Sequence, residues 1–190
     1  YLLIKILAHV ALLPSALNFG SSHTRMSDHY SSFLRTHEED VVRAWVDEIY
    51  ADSRINLTTL VPYAQLVDHL PDILDELGHL LDKTADDAEI QEATRRLRSL
   101  AQVRFRQGAM IDEVARELMI LRKILGQFLW REGLSTAVDL WELRDALKRA
   151  DTFFDEMIVQ VILIYATSYR PPVETRSSIW PPPRRRDPTR

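Results

Sequence analysis

The chain contains no cysteine. Disulfides, zinc-thiolate sites and cysteine nucleophiles are therefore all excluded. Glycine is scarce, with five in 190 residues, and runs of β-branched residues are few. So little turn chemistry disfavours an all-β fold. The compact signatures of common enzyme sites are missing too. The sequence holds no H-E-x-x-H, no G-x-S-x-G, no P-loop and no G-x-G-x-x-G. Nothing in it resembles a kinase ATP site, and no local pattern links its serines, histidines and aspartates. No catalytic residue is expected from this pattern.

What the chain does have is a large apolar content. Apolar residues make up 46% of it, enough for one folded domain with a real core. The net charge of −4 conceals an uneven distribution. Residues 1–25 carry +2 and residues 170–190 carry +4, which leaves −10 on residues 26–169. An acidic body is a poor match for phosphate backbones, so no nucleic-acid partner is expected.

The two ends differ from the middle. Residues 1–25 are apolar but contain Lys5, His9 and Pro14. They read as part of a signal peptide or membrane helix, or as a doubtful extension before a start at Met26. The second reading is preferred, with Ser27 available to cap a first helix. It makes the protein cytoplasmic, with a membrane tether only if residues 1–25 are a genuine anchor. Residues 170–190 are rich in proline and arginine without a period, as in a linker or disordered tail.

Between them, residues 26–169 read as amphipathic helices. Thr36-His-Glu-Glu39 has the pattern of a capping box. Val41, Val42, Trp45, Val46 and Ile49 follow at helical spacing. Pro62 suits a first helical turn. Tyr63, Leu66, Leu70, Leu74, Leu77 and Leu81 then recur three or four apart. Pro71 interrupts that run and predicts a kink or two short helices. Ile90, Ala93, Leu97 and Leu100 make a further stripe, which Gly108 ends. Asp112 is a candidate cap for a helix through Val114, Leu118, Leu121, Leu125 and Phe128, which Gly133 ends. Ser135 or Thr136 can cap the last helix. Its stripe of Leu140, Leu143, Leu147, Ala150, Phe154, Met157, Val161 and Ile164 has the spacing of a coiled-coil seam. The second half of that helix is apolar on more than one face. Such a helix is buried in a core or shared with a partner, and each reading can hold for a different half.

Three features invite a chemical reading. Glu76-Leu-Gly-His79 is a single E-x-x-H, where a di-iron bundle needs two, so no metal site is expected. A haem needs only one axial histidine, and His69 and His79 are its candidates. The alternative is an ordinary boundary histidine. Arg104 continues the stripe of Leu97 and Leu100, which should be buried. A buried arginine needs a partner, and Glu113 and Glu117, beyond Gly108, are the nearest carboxylates. The alternative is an arginine whose stem alone covers apolar surface.

The order of these segments resembles the RsbR-type N-terminal sensor domain of bacterial sensor histidine kinases and stressosome co-antagonists. The resemblance rests on "FLRTHEEDVVRAWVDEIY", "LVDHLPDILDELGHLLD" and "RFRQGAMIDEVARELMILRKIL". Its markers are Trp45, the His69-Leu70-Pro71 start of a leucine-rich helix, Arg104 with Gly108, Glu113, Glu117 and Arg122. Two positions depart from the family pattern. Leu100 stands where a histidine is often found, and Leu118 where an aromatic is. The resemblance implies an all-α, globin-like or helical-bundle domain of about five to six helices, usually without haem or other cofactor. It also implies a homodimer. The last helix would pass a signal to a kinase or an anti-sigma-antagonist-type output module.

Overall fold

The computed structural model describes residues 29–135 and 140–168, with the side chains of residues 132–135 left aside. All regular structure among them is helical. In chain order the helices are α1 (His29–Thr36), α2 (Glu38–Ala51), α3 (Leu57–Leu60), α4 (Tyr63–Val67), α5 (Leu70–Asp82), α6 (Asp87–Arg96), α7 (Arg98–Arg106), α8 (Ile111–Ser135) and α9 (Leu140–Ser168). The count exceeds the five to six expected because two of the expected helices are divided and a single turn, α3, forms at Leu57–Leu60. The run from Tyr63 to Leu81 breaks at Asp68 and His69, which leaves Pro71 in the first turn of α5, where its missing N–H costs little. The stripe from Ile90 breaks at Leu97. Its neighbours are ordinary helix formers, so tertiary packing sets that break.

Helix α9 is the central element. It packs against α8, α6, α7 and α5, while α2 lies on α8 and α1 lies on α5. Leu143, Ala150, Phe153, Phe154, Met157 and Val161 all point into this core. The expected partner seam is therefore mostly an internal stripe. Leu143 and Phe154 have no exposed surface, Leu147 and Ile164 are half-buried, and Leu140 is exposed. A period of three and four fixes which residues share a face, but not whether that face meets a partner or the same chain.

The helix ends depart from expectation in several places. Thr36 is the last residue of α1, and its hydroxyl donates back to the Ser32 carbonyl at 2.8 Å. Only His37 separates α1 from α2, with no side-chain cap there, so the Thr36–Glu39 box does not form. The capping box is instead at Asp86 and Glu89, opening α6. The N-terminal turn of α1 receives a cap from far along the chain. The Asp82 carboxylate accepts the backbone N–H groups of Tyr30 (2.7 Å) and Ser31 (2.9 Å). Ser27 and Thr136 lie outside the described residues. Pro62 is the residue before α4 rather than within it. Asp112 sits inside the first turn of α8, and the Met110 carbonyl takes the first bonds of that helix. Helix α8 also runs past Gly133 to Ser135.

Gly108 does end α7. Its φ of +83° is left-handed, its N–H bonds to the Phe105 carbonyl, and the Ala109 N–H bonds to the Arg104 carbonyl. That is the pattern of a Schellman motif, and glycine adopts it without steric cost. The turn is also clamped from α9. The Tyr165 hydroxyl donates to the Ala109 carbonyl at 2.9 Å, and its ring meets Phe105 edge to face at 5.2 Å.

Candidate functional site

The structure brings four of the residues singled out above into one buried node. Arg104 sits in the last turn of α7 and has no exposed surface. Glu117 lies just beyond the Gly108 turn, in the second turn of α8, and is 1% exposed. The pair is bidentate, with Arg104 Nη2 donating to Glu117 Oε1 at 2.8 Å and Nε donating to Oε2 at 3.1 Å. Nη1 donates to the Gln65 carbonyl and to Gln107 Oε1, both at 3.1 Å. Nη2 also donates to the Leu66 carbonyl at 2.8 Å. A guanidinium has five N–H groups, and each here has an oxygen acceptor. A buried arginine survives on those terms, with its charge paired and its donors satisfied.

The other two members close the node from α2 and from the corner before α5. Trp45 donates its indole N–H to the Glu117 backbone carbonyl at 3.1 Å. His69 places Nε2 at 3.1 Å from Glu117 Oε1, and its side chain is 14% exposed. Burial pushes the Glu117 carboxyl up, but hydrogen bonds from His69 and Arg104 outweigh it and hold the group below the ordinary glutamate value. Glu113, one turn earlier on α8, does not reach Arg104. Its carboxylate accepts the N–H of Met110 at 2.8 Å and of Asn56 at 2.7 Å. It thereby ties the start of α8 to the start of α3. Arg122 faces α9, where it meets Asp155 at 2.7 Å.

Such a node joins helices. It is saturated with internal partners and holds no group poised to attack a substrate. The Glu76–His79 pair does not act together, because Glu76 meets Arg96 and His79 lies 3.5 Å from Asp75. Among the described residues no set of three or more His, Asp and Glu is arranged to hold a metal. The two haem candidates lie apart in kind. His79 is on the surface of α5, half-exposed. Both ring nitrogens of His69 face carboxylates, Glu117 and Asp68, so an iron there would have to displace one of them. Leu100 and Leu118, which replace a histidine and an aromatic of the resembled pattern, are both buried in the apolar core. No helix among the described residues is long and apolar enough to cross a membrane.

One feature escaped the sequence reading. The carbonyls of Gln65 and Leu66 are free for Arg104 because α4 ends at Val67, and no residue pattern announces that. The outer face of α9 exposes Val159 (43%), Ile162 (48%) and Leu163 (48%). Its signal was the apolar character of the helix on more than one side.

Comparison with curated proteins and with solved structures returns no match. A family model does match, over residues 39–175, which takes in the whole node and all of α9. The chain belongs to the family described as the RsbT co-antagonist protein rsbRD N-terminal domain.

Proposed function

We propose that this chain is the signal-input domain of a bacterial stress-response or histidine-kinase protein, that it works as a homodimer, and that it reaches its output module through α9. The family is one of regulatory domains rather than catalysts, which supports the input role. The observation that carries the rest is the two-sided character of α9. Its inner face is the core of the domain, while Val159, Ile162 and Leu163 point outward at helical spacing near its C-terminal end. An apolar stripe of this kind on a helix is what a partner helix covers. The same helix is held at both flanks of the fold. Arg122 grips Asp155, and the Gly108 turn grips Tyr165. Any rearrangement in the node, which borders that turn through Arg104, has a short packed route to α9. The output partner is a kinase or an anti-sigma-antagonist-type module, acting in the cytoplasm.

The test is the mass in solution by size exclusion with light scattering. The wild-type chain of 22.1 kDa should run as a dimer. Ile162→Glu with Leu163→Glu should yield a monomer of unchanged helicity. A wild-type monomer at micromolar concentration would overturn the dimer, and a double variant that stays dimeric would move the interface elsewhere.

A further inference from the structure

The outer face of α9 has a neighbour on α8. Arg122 Nη1 of α8 donates to Asp155 Oδ1 of α9 at 2.7 Å, and Tyr165 of α9 reaches the Ala109 carbonyl just before α8. Later residues of α9 therefore lie beside earlier residues of α8, and the two helices run antiparallel. Met119 is three residues before Arg122, while Val159 and Ile162 are four and seven after Asp155. These spacings keep each of them on the side of its helix that carries the ion pair. Met119 is 48% exposed, the same as Ile162 and Leu163, and it flanks the outer stripe of α9.

That stripe is too small to hold a partner by itself. Val159, Ile162 and Leu163 are half-exposed aliphatic side chains, a minor part of the about 800 Å² that each partner gives to a stable interface. The remainder has to come from a neighbouring element. On its far flank α9 meets α7, where Arg98 Nε donates to Gln160 Oε1 at 2.6 Å. Among the described residues, α7 exposes no large apolar side chain. Towards the start of α9 the exposed residues Arg144, Lys148, Asp151 and Asp155 interrupt the apolar surface. Across the Arg122–Asp155 pair it continues, onto Met119.

We propose that a second copy of this chain docks across the α8–α9 pair, with Met119 in the contact beside Val159 and Ile162. This rests on the homodimer proposed above and adds the part of the surface that α9 cannot supply. A two-fold interface sets one patch against its own copy, so a patch of a single charge sign would repel itself. This patch is apolar at its centre, and its flanking charges, Arg122 and Asp155, pair within each copy. They form a polar rim of the kind that borders a buried contact. The flexible thioether of Met119 suits a seam where two helices of one copy meet two of the other.

The experiment is the dimer dissociation constant of the full chain, by sedimentation equilibrium, for wild type, Met119→Glu and Trp130→Glu. Trp130 is also exposed on α8, but it lines a different groove, with Ala44 and Glu48 of α2. Met119→Glu should raise the constant by at least about tenfold, because it puts a charge into an apolar contact. Trp130→Glu should leave it within about twofold. An equal effect from Trp130→Glu would overturn the docking across α8. So would an unchanged constant in Met119→Glu, and if Ile162→Glu with Leu163→Glu still separates the copies, the α9 dimer stands without α8. A wild-type monomer would overturn the dimer and this docking together. A second measurement needs no substitution in α8. Dilute hydrogen peroxide gives one oxygen atom to the Met119 thioether, forming the sulfoxide and leaving water. Followed by mass spectrometry, this should run several-fold more slowly in the wild-type dimer than in the monomeric Ile162→Glu, Leu163→Glu variant. Equal rates would place Met119 outside the contact and overturn the docking.

Discussion

Arg104 and Glu117 lie on either side of the Gly108 turn and meet through two hydrogen bonds, with neither residue exposed to solvent. Removing one partner leaves the other charge buried without the two bonds that paired it. Arg104→Met should therefore cost about 3–5 kcal/mol of stability. Combining it with Glu117→Leu should recover much of that loss, since the uncompensated charge is gone. Urea unfolding of the two variants checks both expectations. A single variant that costs under about 1 kcal/mol would show that water reaches the node.

The same pair sets an acid limit. The Glu117 carboxyl is held below its ordinary value in the fold, so its contribution to stability is complete above the unfolded glutamate value of about 4.5. That contribution is lost as pH falls below it toward the folded value. Glu117→Gln should flatten the stability profile below about pH 4.5. Thermal melts of both proteins from pH 7 down to pH 3 read this directly. Parallel profiles would place the acid sensitivity elsewhere.

Two glycines in helices should respond oppositely to alanine. A Cβ at Gly78 would lie 2.8 Å from the Ser31 Cα, where α1 crosses α5, so the backbones themselves collide. Gly78→Ala should cost about 1–3 kcal/mol. A Cβ at Gly126, within α8, meets nothing within 4 Å. Gly126→Ala should stabilise the protein by about 0.5–1 kcal/mol through helix propensity. Loss of stability in both would mean that the crossing at Ser31 is not the cause.

Thr84 holds a left-handed φ of 52° just beyond α5, where the Ala85 N–H bonds to the Leu80 carbonyl. A β-branched residue is strained in that conformation, and glycine is not. Thr84→Gly should raise stability by about 1 kcal/mol. At Gly108 the same argument runs in reverse, and Gly108→Ala should lower it by a similar amount. Unchanged melting of both variants would mean that these turns bear no strain.

Much of the fold is written in periodicity. Val41, Trp45 and Ile49 are one buried face, and the stripe of α9 is continuous in the sequence and in the core. Arg104 was legible as a charge on a stripe that should be buried. Which carboxylate answers it was not, because Glu113 and Glu117 share a face of α8 one turn apart. The structure gives Glu117 to the guanidinium and Glu113 to two backbone N–H groups. The break at Leu97 and the cap that Asp82 gives α1 depend on residues distant in sequence, and local pattern carries no trace of them. The apolar second half of α9 was visible as well. Only the packing of α5 to α8 decides that Met157 and Val161 turn inward while Val159, Ile162 and Leu163 turn out.

The absence of native cysteine gives the most direct test of that outer face. A single thiol can be placed at Val159, Ile162 or Leu163 in turn, and at Tyr50, which is 58% exposed on α2, as a control. A disulfide needs Cα atoms within about 7 Å, so only residues that meet their own copy in the dimer will join. Under mild oxidation, at least one of Val159→Cys, Ile162→Cys and Leu163→Cys should form a covalent dimer, and Tyr50→Cys should not. Failure of all three, or equal yield from Tyr50→Cys, would contradict a dimer built on α9.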